Sequence, residues 1–127
     1  MTEPSFDAEV LLAIRGARNV RLETSAAPVR PTHSAIVWVV VDEAGRVLVR
    51  SWHGERGRWY RELRANPSGM LHVASHRVPI MAEPADDPER IEACSRGLRE
   101  KYATSRGSLA EMLLDEVLPT TLELKPA

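Results

Sequence analysis

A β-hairpin followed at once by a helix is the feature that most limits how this chain folds. Residues 34–41 form an almost unbroken run of β-branched and apolar side chains, and residues 46–52 form a second apolar run. The segment DEAG between them has the composition of a tight turn in which glycine supplies a positive φ. The two runs therefore predict antiparallel strands, and the character of the first predicts that both of its faces are covered.

The other segments add helices and strands in an order typical of an α+β domain. Helical spacing and capping signals, the last of them a capping box at Ser108 and Glu111, predict helices at 6–15, 58–66, 88–102 and 109–116. Period-two alternation predicts strands at 19–24, 70–75, 78–83 (with a turn at 75–77) and 120–124. No βαβαβ alternation occurs, so we expect one domain over residues 1–127, a small barrel or strongly curled sheet of mainly antiparallel strands with flanking helices.

Charge and composition exclude several classes of protein. The net charge of −1 argues against the broad basic surface that nucleic-acid or membrane binding requires. The single cysteine, Cys94, excludes an internal disulfide, and its place on the apolar face of the 88–102 helix predicts a buried structural thiol. Residues 1–10 are acidic and lack the pattern of a signal peptide, and no apolar run approaches a membrane span, so we expect a cytoplasmic protein.

A basic segment lies across the second strand and the helix behind it. Between positions 46 and 64 six arginines face two acids, Glu55 and Glu62, so this segment has a net charge of +4. Free backbone N–H groups and the helix dipole converge where a strand end, a short loop and a helix start meet. The segment therefore predicts a site for a small ligand that carries a phosphate or another anionic group.

The segment VLVRSWHGERGRWYRELRANPSGMLHV resembles the split-barrel flavin-binding superfamily, which includes pyridoxamine-phosphate-oxidase-like proteins, and within it the deazaflavin-dependent nitroreductases. Those proteins place a strand, a polar-glycine loop and a tryptophan-containing helix ending in ANP in this order. With GLREKYATSRGSLAEML and LPTTLELKP the pattern is closest to the bacterial domain-of-unknown-function family 2255, over about residues 18–126. The resemblance implies a homodimer of split barrels that holds FMN or a deazaflavin near the dimer interface.

The resemblance also implies where the cofactor is held. Phosphate contacts are expected from the loop before the central strand and from the loop ahead of the helix, at Arg30, Thr32, Ser51, Trp52, His53 and Gly54. Arg56 and Arg58 would add planar guanidinium groups that match phosphate, unless they form a solvated basic loop. Arg50, inside a strand, faces the cofactor or forms an interchain ion pair. Trp52 and Trp59 stack on the cofactor ring or pack in the core or dimer interface.

Two histidines are candidates for acid–base chemistry. His53 lies in the expected ligand loop, and His33 in the proline-rich loop can reach the same pocket from the other side. The alternative for each is an exposed loop histidine. His72 and His76 lack a third ligand, so no metal site is predicted.

Three hypotheses about function follow. The first is an oxidoreductase-like split barrel in which a flavin or deazaflavin carries the hydride chemistry. The second is a barrel without redox cofactor that binds an anionic metabolite as a sensor or carrier. The segment SAAPVRPTHS favours it, because it lacks the glycines and lysines of the corresponding loop in the deazaflavin enzymes. The third is a cofactor-independent isomerase or cyclase that uses His53 or His33.

Overall fold

The computed structural model describes residues 5–127, so residues 1–4 of the predicted domain lie outside this description. Its α-helices are α1 (Ala8–Gly16), α2 (Arg58–Ala65), α3 (Pro88–Lys101) and α4 (Arg106–Met112). Its strands are β1 (Val20–Thr24), β2 (His33–Val37), β3 (Val40–Val41), β4 (Val47–Val49), β5 (Ser68–Val73), β6 (His76–Pro84) and β7 (Leu122–Pro126). Short 3-10 turns occupy Gly54–Arg56 and Leu118–Thr120.

These strands form one antiparallel sheet in the order β2-β1-β5-β6-β7-β4-β3. Its two margins, β2 and β3, are consecutive segments of chain that only Trp38 and Val39 separate. The sheet therefore curls until both margins meet in one stretch of backbone. This is the curled antiparallel sheet with flanking helices that the sequence predicts, and the α+β prediction is confirmed.

The prediction of one continuous strand over 34–41 is wrong, because β2 ends at Val37 and β3 begins at Val40. The prediction that both faces are covered is wrong for β2. The outer face of β2 is open, and Ile36 is 66% exposed there. An apolar run cannot distinguish a face covered by the chain's own helices from one left open. At the break after β2, Val39 leaves the sheet and α3 takes up its backbone groups. The Tyr102 hydroxyl accepts from Val39 N at 3.0 Å, and Lys101 Nζ donates to Val39 O at 2.8 Å.

Three smaller boundaries also differ from the predictions. The second hairpin turns at Ala74 and Ser75, where Ala74 has a φ of 51° that no glycine or asparagine signals in the sequence. The last strand starts two residues later than predicted because Leu118–Thr120 form a 3-10 turn first. The proposed capping box is wrong, since Ser108 lies inside α4. The chain turns immediately after α3, and Leu109 N donates to the backbone of Ser105 at 2.8 Å.

The start of α3 has the side chains that favour the beginning of a helix. Asp87 is the N-cap, its carboxylate accepts from Arg90 N at 3.0 Å, and Pro88 is the first helical residue. The Arg90 guanidinium then ties this helix to the sheet through Asp87, Glu83 and Glu123, at 2.6, 2.6 and 3.0 Å. Hydrogen bonding to Arg90 holds the pKa of the Glu83 and Asp87 carboxyls below their ordinary values.

The contact between α3 and β3 leaves no room for a side chain at Gly97. A Cβ atom there would lie 2.9 Å from the Cβ of Val40. Alanine in place of a helical glycine normally stabilises by about 1 kcal/mol, but forcing a methyl group into a packed contact costs about 1–3 kcal/mol. We therefore expect Gly97→Ala to lower the free energy of unfolding by about 1 kcal/mol in urea titrations. Gly107→Ala is the control, because a Cβ on that α4 glycine meets nothing within 4 Å and should stabilise. Equal stabilisation by both substitutions would contradict the tight contact.

Candidate functional site

All three tryptophans of the chain line one cavity of about 200 Å³, called the tryptophan cavity below. Trp38 follows β2, Trp52 lies in the loop after β4, and Trp59 lies in the first turn of α2. The rest of the wall is formed by Ile36, Val37, Arg50, Ser108 and Met112. A small space with flat aromatic walls and few polar groups is typical of sites for planar ligands.

One wall of the tryptophan cavity is held rigidly. The indole of Trp38 stacks on the ring of Tyr102, with 3.9 Å between the ring centroids and 4° between the planes. Tyr102 is fully buried, and its hydroxyl donates to Arg18 O at 2.6 Å while it accepts from Val39 N. Trp38 is only partly buried, and it lines the cavity.

Arg50 places a buried positive charge beside the cavity. It is 2% exposed, and its guanidinium donates to neutral oxygens at 2.9–3.0 Å, those of Thr121, Ser95, Met112 and Ile91. No carboxylate among residues 5–127 forms an ion pair with it, and burial lowers its pKa from the ordinary arginine value. The groups that accept hydrogen bonds from this charge are therefore all uncharged. A cation in such surroundings attracts electron density in a ligand above it more strongly than an exposed cation does.

The loop after β4 has a structural role at Ser51. This residue is fully buried, its hydroxyl donates to Gly54 O at 2.7 Å, and its backbone N–H donates to Thr120 Oγ1 at 3.1 Å. Gly54 has a φ of +63°, and a Cβ at Gly57 would lie 2.5 Å from the Ser51 hydroxyl. Close packing thus fixes the loop: backbone conformation requires a glycine at position 54, and the contact with Ser51 requires one at position 57.

Trp52, His53, Gly54 and Arg56 line a second, larger space, the acidic groove, of about 460 Å³. Trp52 belongs to both spaces, so the groove continues from the tryptophan cavity. The groove's charged side chains are one arginine and three acids, Glu55, Glu111 and Glu116. This balance repels a phosphate, although the sequence pattern places a phosphate in this loop.

Three of the predicted ligand residues, Arg30, Thr32 and His33, lie at or just before the start of β2 instead, and a fourth opens α2. Arg30 and Thr32 are exposed in the preceding loop, and Arg58 is exposed at the start of α2. His33 is the first residue of β2, and its Nδ1 lies 2.9 Å from Glu62 Oε2. Sequence reasoning missed Glu62, although its position three residues after Trp59 puts it toward the buried face of α2.

Other polar clusters have partners inside the chain. His72 Nε2 lies 2.6 Å from Glu23 Oε1, which also accepts from Arg21 at 3.3 Å. Residues 5–127 contain no group of three or more histidine, cysteine or acidic side chains arranged to hold a metal ion. Nor does any helix in that range have the length and apolarity to cross a bilayer.

Cys94 is completely buried on α3, and burial raises the pKa of its thiol to about 11. At pH 8 the side chain is therefore almost entirely in the unreactive thiol form and out of reach. We expect no reaction with Ellman's reagent at about pH 8 over an hour in buffer, and one thiol per chain after unfolding in guanidinium. Rapid labelling of the native protein would contradict this burial.

Comparisons with known proteins fit this architecture. The family model described as "Uncharacterized protein conserved in bacteria (DUF2255)" matches residues 10–124. No curated protein matches the sequence. Among solved structures, HutZ, the heme storage protein of Vibrio cholerae, is 14% identical with a TM-score of 0.70, over 97% of this chain and 91% of that one. An F420-H2 dependent reductase, FDR-A, is 16% identical with a TM-score of 0.64, over 85% and 94%. A structure described as a domain-swapped dimer is 16% identical with a TM-score of 0.64, over 85% and 80%. At such low sequence identity, these TM-scores show a shared fold.

Proposed function

The chain belongs to the bacterial family DUF2255, and from that premise we propose that its tryptophan cavity binds the planar ring of FMN or a deazaflavin, and that the protein is an oxidoreductase acting on a small molecule. The observation that carries the proposal is the cavity itself, in which three indoles and a buried guanidinium surround one space. Bound there, such a cofactor would supply hydride chemistry, and the protein would supply grip, orientation and exclusion of water.

The residues present fit the ring of such a cofactor. Trp38 offers a flat wall that Tyr102 supports from behind, and Trp59 faces the same space from α2. The positive charge of Arg50 would stabilise the negative charge that a flavin ring gains on reduction. The structural neighbour that depends on F420-H2 makes a deazaflavin a reasonable probe.

The cavity is too small to enclose a whole tricyclic ring, and a homodimer would complete it. Three large apolar side chains around its mouth and the adjoining groove are exposed: Ile36 at 66%, Trp52 at 48% and Leu114 at 47%. Apolar side chains gathered at one mouth favour association. A second copy over this surface would cover them and close the cavity, and the domain-swapped dimer among the structural neighbours supports this arrangement.

The distribution of charge around the cavity favours one direction for the phosphate tail of a bound cofactor. The tail would turn away from Glu55, Glu111 and Glu116 and toward Arg58, the residue next to Trp59. Arg30 and Thr32 would then approach it from the loop before β2. This keeps Arg30, Thr32, Arg58, Trp52 and Trp59 in the proposed ligand site, while Ser51 and Gly54 shape the loop.

The absorption and fluorescence spectrum of freshly purified protein tests this function. We expect a bound flavin or deazaflavin chromophore, or binding of added FMN or F420 that quenches most of the tryptophan fluorescence, since every tryptophan lines the cavity. Ser108→Phe should abolish the quenching by filling the cavity. Ala110→Phe is the matched control, because Ala110 is exposed on the same helix and does not line the cavity. A colourless protein whose fluorescence stays constant up to high micromolar FMN and F420 would refute the proposal.

The alternative function, a carrier or sensor without redox chemistry, is favoured by one observation. The loop expected to bind phosphate borders the acidic groove, so the cavity can serve a ligand without a phosphate tail. Hemin is a useful third probe, because one structural neighbour is a heme storage protein. A melting temperature that rises with hemin or another planar anion, but not with FMN or F420, would support a carrier.

A further inference from the structure

A buried carboxylate lies where α2, β1 and the start of β2 meet. Glu62 is 9% exposed, its Oε1 accepts from the Thr24 hydroxyl at 2.7 Å, and its Oε2 lies 2.9 Å from His33 Nδ1. No lysine or arginine among residues 5–127 forms an ion pair with it, although α2 carries several arginines. Burying a carboxylate without a full counterion costs several kcal/mol, so a purely apolar contact would have been more stable.

The contact with Glu62 fixes which nitrogen of His33 carries hydrogen. An ionised carboxylate only accepts hydrogen bonds, so His33 Nδ1 donates and a neutral ring keeps its lone pair on Nε2. The side chain of His33 is 41% exposed, so the ring is accessible from solvent. A carboxylate behind a histidine in this way holds the orientation of the ring.

The charged groups near His33 suit a negatively charged ligand atom. Arg58 lies four residues before Glu62, about 40° around the helix, and is exposed. Arg30 is exposed three residues before His33, and neither arginine forms an ion pair within residues 5–127. From β1 only the neutral Thr24 faces this corner, because Glu23 pairs with His72 instead. Two exposed arginines therefore lie on the same two segments as the pair, Arg58 one turn before Glu62 and Arg30 three residues before His33.

The corner and the tryptophan cavity are built from the same two elements. Val37 of β2 lines the cavity and lies on the same face of that strand as His33, about 13 Å away along the strand. Trp59 lines the cavity one turn before Glu62 on α2. A ligand with a three-ring system and an attached side chain can span this separation.

We propose that His33 is the acid–base residue of this protein and that Glu62 is its positioning residue. The ligand class is a small molecule with an oxygen that carries or develops negative charge. The imidazolium gives the proton on Nε2 to that oxygen, an O–H bond forms as the N–H bond breaks, and the neutral ring regains a proton from water. The inference rests on the proposed function for its reaction: reduction by a flavin or deazaflavin requires one proton for each hydride, and His33 supplies it.

Inorganic sulfate tests the site without a cofactor, because its charge is constant between about pH 5 and 9, the range in which histidines change charge. In histidine labelled with ¹⁵N, we expect His33 to show the Nδ1–H form at high pH. Sulfate should shift the His33 ring signals at about pH 5.5 and bind roughly tenfold more weakly at about pH 8. Arg58→Ala should weaken the binding severalfold. Arg64→Ala is the matched control, since Arg64 lies on the other flank of α2 and contacts the Tyr60 hydroxyl.

The outcomes separate this inference from the proposed function. An Nε2–H form, an equal sulfate response of exposed His53, or binding that ignores pH and Arg58 would overturn it. If a flavin or deazaflavin binds, His33→Gln should remove one limb of the pH profile of kcat/KM for reduction of a quinone, and His53→Gln should leave it. Loss of that limb in neither variant also overturns the inference. If no cofactor binds but the sulfate result holds, the redox function fails and the acid–base site stands.

Discussion

Replacing Arg50 with methionine is expected to lower the free energy of unfolding by roughly 3 kcal/mol, because the substitution removes a buried side chain together with all of its hydrogen bonds. Methionine keeps an unbranched stem but removes every donor. The carbonyls of Ile91 and Met112 and the hydroxyls of Thr121 and Ser95 then lose a partner inside the protein. Relief from burying a charge offsets part of this loss, but each buried group left unpaired costs about 1–3 kcal/mol.

Urea unfolding followed by circular dichroism measures the effect. Arg99→Met is the control, because Arg99 is exposed on α3 and its contact with Glu92 is 3.4 Å long at the surface. We expect less than about 0.5 kcal/mol from it. Arg50→Lys should fall between, since one ammonium group cannot reach the acceptors at Thr121, on α3 and on α4 together. A loss below about 1 kcal/mol in Arg50→Met would mean that the buried guanidinium is not needed for the fold.

Tyr102→Ala is expected to destabilise by about 4 kcal/mol, because it removes a fully buried ring, the stack on Trp38 and the hydroxyl that serves Val39. Tyr102→Phe isolates the hydroxyl. It leaves the Val39 N–H without its partner and should cost about 2 kcal/mol. Both variants should also change the near-ultraviolet circular dichroism of Trp38.

Tyr60→Phe is the control for Tyr102→Phe, because it also removes one tyrosine hydroxyl. The Tyr60 hydroxyl accepts only a long 3.3 Å contact from the exposed Arg64, so its loss should cost less than about 0.5 kcal/mol. If the two phenylalanine variants were equally stable, the Val39 N–H would have found another partner and the role given to Tyr102 would be wrong.

The turns and helix ends that depend on the residues next to them in sequence were predictable. The turn before β4 has Gly45 at a φ of +81°, and the cap at Asp87 forms as its neighbours require. The turn at Ala74 was not predictable, because alanine adopts its positive φ only under the constraint of the register between β5 and β6. Local signals fail where tertiary contacts decide the backbone.

The candidate site was predictable in its residue types but not in its grouping. The basic segment 46–64 reads as one anion site, but folding separates its arginines. Arg46 pairs with Asp42 at 2.6 Å, Arg50 is buried, and Arg58 is exposed at a different corner. Two of the three acids that line the acidic groove beside Trp52, Glu111 and Glu116, lie far away in sequence. The pairing of His33 with Glu62 likewise depends on packing of α2 against β2, which no local pattern encodes.

The segment 33–41, which provides both margins of the sheet, has a consequence for folding kinetics. Its first half pairs with β1, and its second half pairs with β4, which in turn pairs with the last strand of the chain. The first half of the segment joins the rest of the sheet through β1, and the second half joins it through β4 and β7, so the sheet is complete only when both halves are paired. The amide protons on both sides of Trp38 should therefore exchange with solvent in a single global event. The slow step of folding should be the late closure of this segment, when residues from both ends of the chain have already met.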